Sequence, residues 1–251
     1  MPIAGIALGT GLGGGTAATS SGAPGGGGAF SNVNSVSFDG ADDYAITGSA
    51  VTELNAAANL TVSCWVKTSS LTQSAFLFGN RSVSSTGMAL QTHTNSRFYF
   101  YFSGGYVYWP TTSFSADTWF NLVLAYDGSQ ADADKLKVYR DGSLVSYTGS
   151  LTATSMAAST ATFWVGRDQL VTNAWGGNID EFAVIPSTLS PSDVTSLYNS
   201  GTPASLTAHS PLIWWRMGEN DGGAGTTITD LGSASKDLSL VNGATITTDV
   251  P

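Results

Sequence analysis

The chain has 251 residues, enough for one large β-domain or two ordinary domains. Only 11% of the residues are charged, against about 25% in a typical soluble domain, and the formal net charge is −9. Because an acidic surface repels phosphate, this charge argues against nucleic-acid binding. The single cysteine, Cys64, excludes an internal disulfide. No apolar run approaches the ~18 residues of a membrane-spanning helix, so we expect no membrane partner.

The chain begins with a glycine-rich arm, residues 1–29, which contains eleven glycines. Large side chains are too few there to offset the entropy of folding alone, and a flexible linker is one interpretation. The other is that the arm threads into a narrow crevice of a neighbouring subunit, anchored by Ile3, Ile6, Leu8 and Leu12. The arm lacks the basic start of a secretory signal, so we do not expect export by that route.

From residue 30 to about 185, short runs rich in Val, Phe, Tyr, Trp and Thr alternate with Gly, Asn, Asp and Ser, which is typical of many short strands. The clearest element is a hairpin over 135–147, in which Asp141-Gly142 supplies a two-residue turn. The pattern predicts strands over 35–38, 44–47, 60–67, 75–79, 88–91, 97–102, 106–109, 119–126, 135–140, 143–147, 162–166 and 179–185.

One short helix is predicted after these strands, over 190–201. Ser190 is a suitable N-cap, Pro191 occupies the first helical position, and Gly201 lies just past the end. Residues 211–251 then return to a β-like pattern. The fold class predicted from these elements is all-β, with one short helix.

Several segments resemble the laminin-G-like branch of the concanavalin-A-like jelly rolls. They are Val36 to Tyr44, Leu60 to Lys67, Trp119 to Asp127, Leu136 to Gly142, and Gly177 to Val184 followed by the short helix. The resemblance covers roughly residues 33–200 and implies a two-sheet antiparallel jelly-roll sandwich. It divides the chain into an extended arm (1–29), a laminin-G-like jelly roll (30–200) and a C-terminal segment (201–251).

The C-terminal segment departs from the family pattern. Residues 212–244 resemble what the family carries before its first strand. The segment either folds back to complete the sandwich or packs on another subunit, and we favour the first, because an exposed Trp-Trp strand promotes aggregation. A glycine-rich arm before the jelly roll, with a Trp-Trp-Arg-Met-Gly tail after it, resembles virion proteins of tailed bacteriophages.

Enzymatic activity is not expected. A retaining glycosidase needs two carboxylates about 5 to 5.5 Å apart, but Asp180 and Glu181 are adjacent in a predicted strand and should point to opposite faces. The two histidines, His93 and His209, lie in no hydrolase motif, and one cysteine with two distant histidines cannot form a zinc site.

Calcium is the one candidate cofactor, because the laminin-G-like family often binds it through loop oxygens. Asp39, Asp42 and Asp43 could converge with Asp180 if the first and last strands of the jelly roll are neighbours. The alternative is that Asp39-Gly40 makes a turn and the other aspartates are solvated.

Glycan binding would need aromatic side chains on loops. The candidates are Tyr106, Tyr108, Trp109 and Trp175. Most of the 27 aromatic residues must lie in the core, so for Tyr106, Tyr108 and Trp109 we favour a place in the core or an interface over glycan binding.

Two functions remain at this point. The first is a non-enzymatic virion structural protein, a capsid decoration or tail component assembled in the host cytoplasm. We expect it to form a homo-oligomer and to contact other virion subunits. The second is a carbohydrate-binding or host-receptor-recognition module. The sequence favours the first, because a surface low in charge and an arm that orders only on a partner suit assembly.

Overall fold

The computed structural model describes residues 30–169 and 173–251. Within these residues the chain forms 17 β-strands, two 3-10 turns and one α-helix, α1 (Pro191–Tyr198). The strands are β1 (Ser35–Asp39), β2 (Tyr44–Ala50), β3 (Asn59–Thr68), β4 (Ala75–Gly79), β5 (Met88–His93), β6 (Arg97–Phe102), β7 (Gly105–Pro110), β8 (Phe120–Asp127), β9 (Leu136–Arg140), β10 (Ser143–Val145), β11 (Thr148–Ser150), β12 (Thr162–Val165), β13 (Gly176–Ile185), β14 (Ile213–Trp215), β15 (Thr227–Ile228), β16 (Leu238–Val241) and β17 (Thr245–Thr247).

The strands form two antiparallel sheets. Sheet A has eight strands in the order β10-β9-β8-β3-β13-β1-β17, with β14 also paired to β13. Sheet B has nine strands in the order β11-β7-β6-β5-β4-β12-β2-β16-β15. The predicted all-β, two-sheet fold is confirmed.

The sheets pack face to face over an aromatic core. Phe182 of sheet A meets Phe78 of sheet B with ring centroids 5.3 Å apart, and Tyr126 meets Phe102 at 4.2 Å. These side chains are fully buried, as expected for inward positions of alternating strands. Burial of each such side chain stabilises the fold by roughly 1.5–3 kcal/mol. The need to bury these side chains therefore determines which face of each strand points inward and which points outward.

Two local predictions are confirmed in detail. β9 and β10 form the hairpin, and Asp141 and Gly142 have φ angles of 50° and 73°, as a two-residue turn requires. Ser190 caps α1 through a reciprocal capping box. The helix ends at Tyr198, earlier than predicted, because Asn199 already adopts the left-handed conformation.

The predicted strand 143–147 is shorter than expected. β10 ends at Val145, and the chain then crosses to sheet B, where β11 pairs with β7. Tyr147 lies at the crossing, and its hydroxyl donates to the carbonyl oxygens of Ala133 and Leu136.

The C-terminal segment folds back on the sandwich and adds strands to both sheets. β14 pairs with β13 and β17 with β1 in sheet A, while β16 pairs with β2 in sheet B. Trp215, in β14, is fully buried against Phe182 at 5.4 Å. In the described part of the chain, no helix has the length and apolar character needed to cross a membrane.

Candidate functional site

The outer faces of the two sheets differ in what covers them. On sheet A, Trp65 of β3 faces outward and is buried beneath α1, where Tyr198 stacks on it with ring centroids 5.8 Å apart. Leu197 of the same helix is also buried. The outer face of sheet B has a cluster of half-buried and exposed tyrosines in place of a covering helix.

This cluster, the tyrosine face, consists of Tyr99 and Tyr101 of β6 and Tyr106 and Tyr108 of β7. Strand β6 reads Arg-Phe-Tyr-Phe-Tyr-Phe, so its phenylalanines fill the core while its tyrosines point outward. The register pairs Tyr99 with Tyr108 and Tyr101 with Tyr106, which places four aromatic side chains on one surface.

The four rings form a contiguous surface. Tyr99 lies at its centre, 5.4 Å from Tyr108, 5.8 Å from Tyr106 and 6.3 Å from Tyr101 between ring centroids. His93 of β5 adds an edge contact to Tyr99 at 5.6 Å. Tyr106 is the most exposed member, with 52% of its surface accessible. An aromatic surface of this kind can stack against the apolar face of a flat ligand.

Amide and hydroxyl groups surround the rings. The Asn95 side-chain amide donates to the Tyr99 hydroxyl at 2.9 Å, and the Tyr101 hydroxyl donates to Gln91 Oε1 at 3.2 Å. Ser74 Oγ then accepts from Gln91 Nε2 at 2.6 Å. These groups combine donors and acceptors at fixed positions, as hydroxyl-rich ligands require.

Two arginines stack on the tyrosine face. The Arg97 guanidinium lies 4.4 Å from the centroid of the Tyr108 ring, and the Arg81 guanidinium lies 4.7 Å from that of Tyr101. Arg81 is buried and ion-paired with the fully buried Asp168. The pKa of Tyr99 is lowered, first by the hydrogen bond from Asn95 and further by Arg97, whereas burial raises the pKa of Tyr101.

The structure separates the four aromatic residues proposed for glycan binding. Tyr106 and Tyr108 belong to the tyrosine face. Trp109 and Trp175 do not, because both are fully buried, so their assignment as exposed ligand platforms is wrong. Trp109 follows Tyr108 directly in β7 and must point to the opposite face, where its ring stacks on Phe98 at 5.5 Å.

The tyrosines of β6 were not among the predicted site residues. The signal that could have identified them is the strict Tyr/Phe alternation of residues 97–102.

Three of the four aspartates proposed for calcium lie together. The carboxylates of Asp39, Asp42 and Asp43 offer ligand atoms within 4.8 Å of one another. They also serve the turn itself: Asp39 Oδ1 accepts from the amide of Ala41 at 2.8 Å, and Asp43 Oδ2 accepts from the amide of Asp39 at 2.9 Å. Calcium at these three residues stays a prediction.

Asp180 does not join them, so the four-residue site is corrected. β1 and β13 are neighbours as expected, but their antiparallel register pairs Val36 with Ile179 and Asp39 with Gly176. Asp180 therefore lies at the opposite end of β1 from Asp39, about 13 Å away at ~3.3 Å per residue.

Asp180 belongs to a second acidic cluster, with Glu181 and Glu219, whose ligand atoms also lie within 4.8 Å of one another. The expectation that Asp180 and Glu181 point to opposite faces is wrong. The β3–β13 register shifts between Asp180 and Ala183, and Glu181 has a φ of 44°, which marks a β-bulge. The bulge directs both carboxylates to the outer face of sheet A.

The second acidic cluster connects the residues before β1 and the strand β13 to the C-terminal segment. Glu181 accepts from Trp214 Nε1 at 2.7 Å and from Arg216 Nε at 2.9 Å, and Glu219 accepts from the backbone amides of residues 33 and 34. Burial raises the pKa of Asp180 well above its usual range and that of Glu181 to about 7. Asp180 and Glu181 are 0% and 3% exposed, so these two carboxylates are not accessible to a sugar.

The predicted assembly residues Ile3, Ile6, Leu8 and Leu12 lie outside the described residues. The role given to the arm therefore stays a prediction.

The two antiparallel sheets, the aromatic core and the open outer face of sheet B define a jelly roll of the concanavalin-A-like type. A laminin G family model (Laminin_G_3), described as the concanavalin A-like lectin/glucanases superfamily, matches residues 39–195, and the chain belongs to this family. A comparison with curated proteins gives no match.

Two solved structures share the fold. A candidate carbohydrate-binding protein from Bacteroides ovatus superposes with a TM-score of 0.65 at 13% identity, over 87% of this chain and 60% of that protein. A heptameric SAP-like pentraxin from Limulus polyphemus superposes with a TM-score of 0.53 at 14% identity, over 66% of this chain and 82% of the pentraxin. This chain thus spans 60% of the length of the Bacteroides protein, and at such identities the likeness concerns the fold.

Proposed function

We propose that the protein binds carbohydrate on the tyrosine face. The observation that carries this proposal is the contiguous surface of Tyr99, Tyr101, Tyr106 and Tyr108, which remains open on sheet B while α1 covers the outer face of sheet A. The carbohydrate-binding description of the Bacteroides ovatus protein, which shares the fold, supports the same function.

The chemistry of the face suits a sugar. Aromatic rings stack against the C–H side of a pyranose, while hydroxyls at its rim exchange hydrogen bonds with an exposed amide such as that of Asn95. A tyrosine also keeps its own hydroxyl hydrated when no ligand is bound. Four adjacent tyrosines can therefore remain exposed at a lower cost than four phenylalanines.

The test is affinity electrophoresis or calorimetry of the purified protein against a panel of soluble polysaccharides, neutral and acidic. We expect Tyr99→Ala to weaken binding most, by about tenfold or more, because Tyr99 contacts the other three rings and removal of one stacked aromatic costs about 1–3 kcal/mol. Tyr106→Ala should have a smaller effect, since Tyr106 lies at the edge.

Tyr198→Ala is the matched control. Tyr198 is also half-buried and stacked, but on the outer face of sheet A. Equal loss of binding in Tyr99→Ala and Tyr198→Ala, with both variants folded by circular dichroism, would contradict the proposal. So would a wild-type protein that binds no polysaccharide of the panel.

The virion role of the sequence analysis stays a prediction, and the arm that it invokes, residues 1–29, lies outside the described residues. It is compatible with carbohydrate binding, because a virion protein can carry a glycan-binding face. The proposal made here concerns only the jelly roll.

A further inference from the structure

The charge on the tyrosine face contrasts with the charge of the whole protein. The chain has 18 acidic and 9 basic residues, yet β5, β6, β7 and β11, the four strands that carry or border the face, contain no Asp or Glu. Arg97 lies among them, and its cross-strand neighbours are His93 and Pro110. A cation is thus placed where no neighbouring carboxylate neutralises it.

Ion pairing separates Arg97 from most other cations of the protein. Six of the nine Lys and Arg residues form ion pairs within the described residues, so three (9 − 6) do not. These three are Arg97, Lys137 and Arg167. Lys137 is exposed on β9 of sheet A, whereas both arginines lie on aromatic rings of sheet B.

Contacts with two tyrosines hold the Arg97 guanidinium in place, because it stacks on Tyr108 and also interacts with the Tyr99 hydroxyl. The group lies 4.4 Å from the centroid of Tyr108, in the cation–π range. A guanidinium has five N–H donors, so donors remain after the contact with Tyr99, and a pair of parallel N–H groups matches a planar carboxylate.

We propose that the tyrosine face selects sugars that carry a carboxylate, of the uronic-acid class, and that Arg97 binds this carboxylate while the sugar ring lies on the tyrosines. The inference rests on the proposed function, since it names the ligand class of the same face.

A second arginine without an ion pair in the described part of the chain, Arg167, stacks on aromatic rings further along sheet B. Arg167 lies 5.3 Å from the ring of Tyr44 and 5.5 Å from that of Trp164, and the two rings stack at 4.6 Å. Tyr108 is on β7 and Trp164 on β12, four strand positions apart, which corresponds to roughly 19 Å at the usual strand spacing. An acidic oligosaccharide could contact both arginines, whereas a monosaccharide could not.

The experiment compares polygalacturonate with the same polymer after full methyl esterification, which removes the charge but keeps the backbone. We expect wild type to bind polygalacturonate at least tenfold more tightly, with an affinity that falls as salt is raised. Arg97→Gln should lose about tenfold or more toward polygalacturonate, in line with a charge-assisted hydrogen bond, and should lose much less toward the ester. Lys137→Gln, the matched control, should behave as wild type.

The outcomes separate the two proposals. Equal affinity for acid and ester, unchanged by Arg97→Gln, overturns the carboxylate inference and leaves carbohydrate binding intact. Tighter binding of dextran sulfate than of polygalacturonate also overturns it, in favour of sulfated ligands. Failure to bind any polysaccharide, neutral or acidic, overturns the proposed function as well.

Discussion

Loss of the buried carboxylate of Asp168 should destabilise the protein strongly. Asp168 is fully buried and accepts from Arg81 Nε at 2.9 Å as well as from its terminal Nη2 group. The Arg81 guanidinium contacts both Phe76 and Tyr101, 5.2 and 4.7 Å from the two ring centroids. Asp168→Ala leaves this guanidinium buried without its counter-ion. Because Arg81 stacks on Tyr101, the Arg81–Asp168 ion pair also supports the edge of the tyrosine face.

The expected magnitude follows from burial. Removing one partner of a buried ion pair costs about 3–5 kcal/mol, because the remaining charge loses its compensation. For a domain of this size about 1 kcal/mol corresponds to ~2–4 °C, so the melting temperature should fall by roughly 6–20 °C. Glu53→Ala is the control: it removes an ion pair to Lys236 whose partners are 39% and 22% exposed, and such pairs contribute about 1 kcal/mol or less.

The assay is urea denaturation followed by tryptophan fluorescence, with the double variant Arg81→Met/Asp168→Leu as a second test. Replacing both charges by apolar groups removes the uncompensated cation, so the double variant should recover most of the stability that Asp168→Ala loses. The reasoning is refuted if Asp168→Ala costs no more than Glu53→Ala, or if the double variant is less stable than Asp168→Ala.

Two further predictions concern the strand β13. Burial raises the pKa of Asp180 in the folded state above the ordinary 3.8, so between these two values the folded state binds a proton that the unfolded state releases. The free energy of unfolding therefore falls as the pH rises from about 4 toward the raised value. Asp180→Asn should therefore gain stability relative to wild type as the pH rises above about 4, and parallel pH profiles in denaturant titrations would contradict this. Gly177→Ala should cost several times as much as Gly222→Ala in melting experiments. Both glycines have positive φ, but a Cβ at Gly177 would lie 2.1 Å from the Lys67 carbonyl oxygen, whereas a Cβ at Gly222 would meet nothing within 4 Å. A similar fall in melting temperature in both variants would contradict this prediction, because it would show that the strained φ alone determines the loss of stability.

The fold was predictable because its signals are local. The Asp141-Gly142 turn, the Ser190 cap and the alternation of apolar residues each depend on a few adjacent residues, and the structure contains them all. The site was only partly predictable for the same reason. Tyr106 and Tyr108 were predicted as aromatic residues that could contact a ligand. Side chains alternate between the two faces of β6 and β7, which places Trp109 in the core and Tyr99 outside, and the prediction of the site did not use this alternation.

The buried acidic cluster shows where a local pattern misleads. A regular strand would separate Asp180 from Glu181, but Ile179 and Phe182 are both in the core and lie three residues apart, which a strict alternation does not allow. That spacing is itself a sequence signal of a bulge. The convergence with Glu219 has no such signal, since it depends on β14 pairing with β13 and on the C-terminal segment returning past the start of β1.

Which outer face is free could not be predicted from either strand alone. Trp65 and Tyr99 are both outward-facing aromatic residues on central strands, and their neighbours in sequence are alike in polarity. The difference is that α1 follows β13 directly and folds over sheet A, so that Tyr198 covers Trp65. No corresponding helix follows a strand of sheet B in the described chain. The tyrosines of β6 and β7 are therefore left to contact solvent or a ligand, and this difference in covering, rather than any single residue, makes sheet B the candidate binding surface.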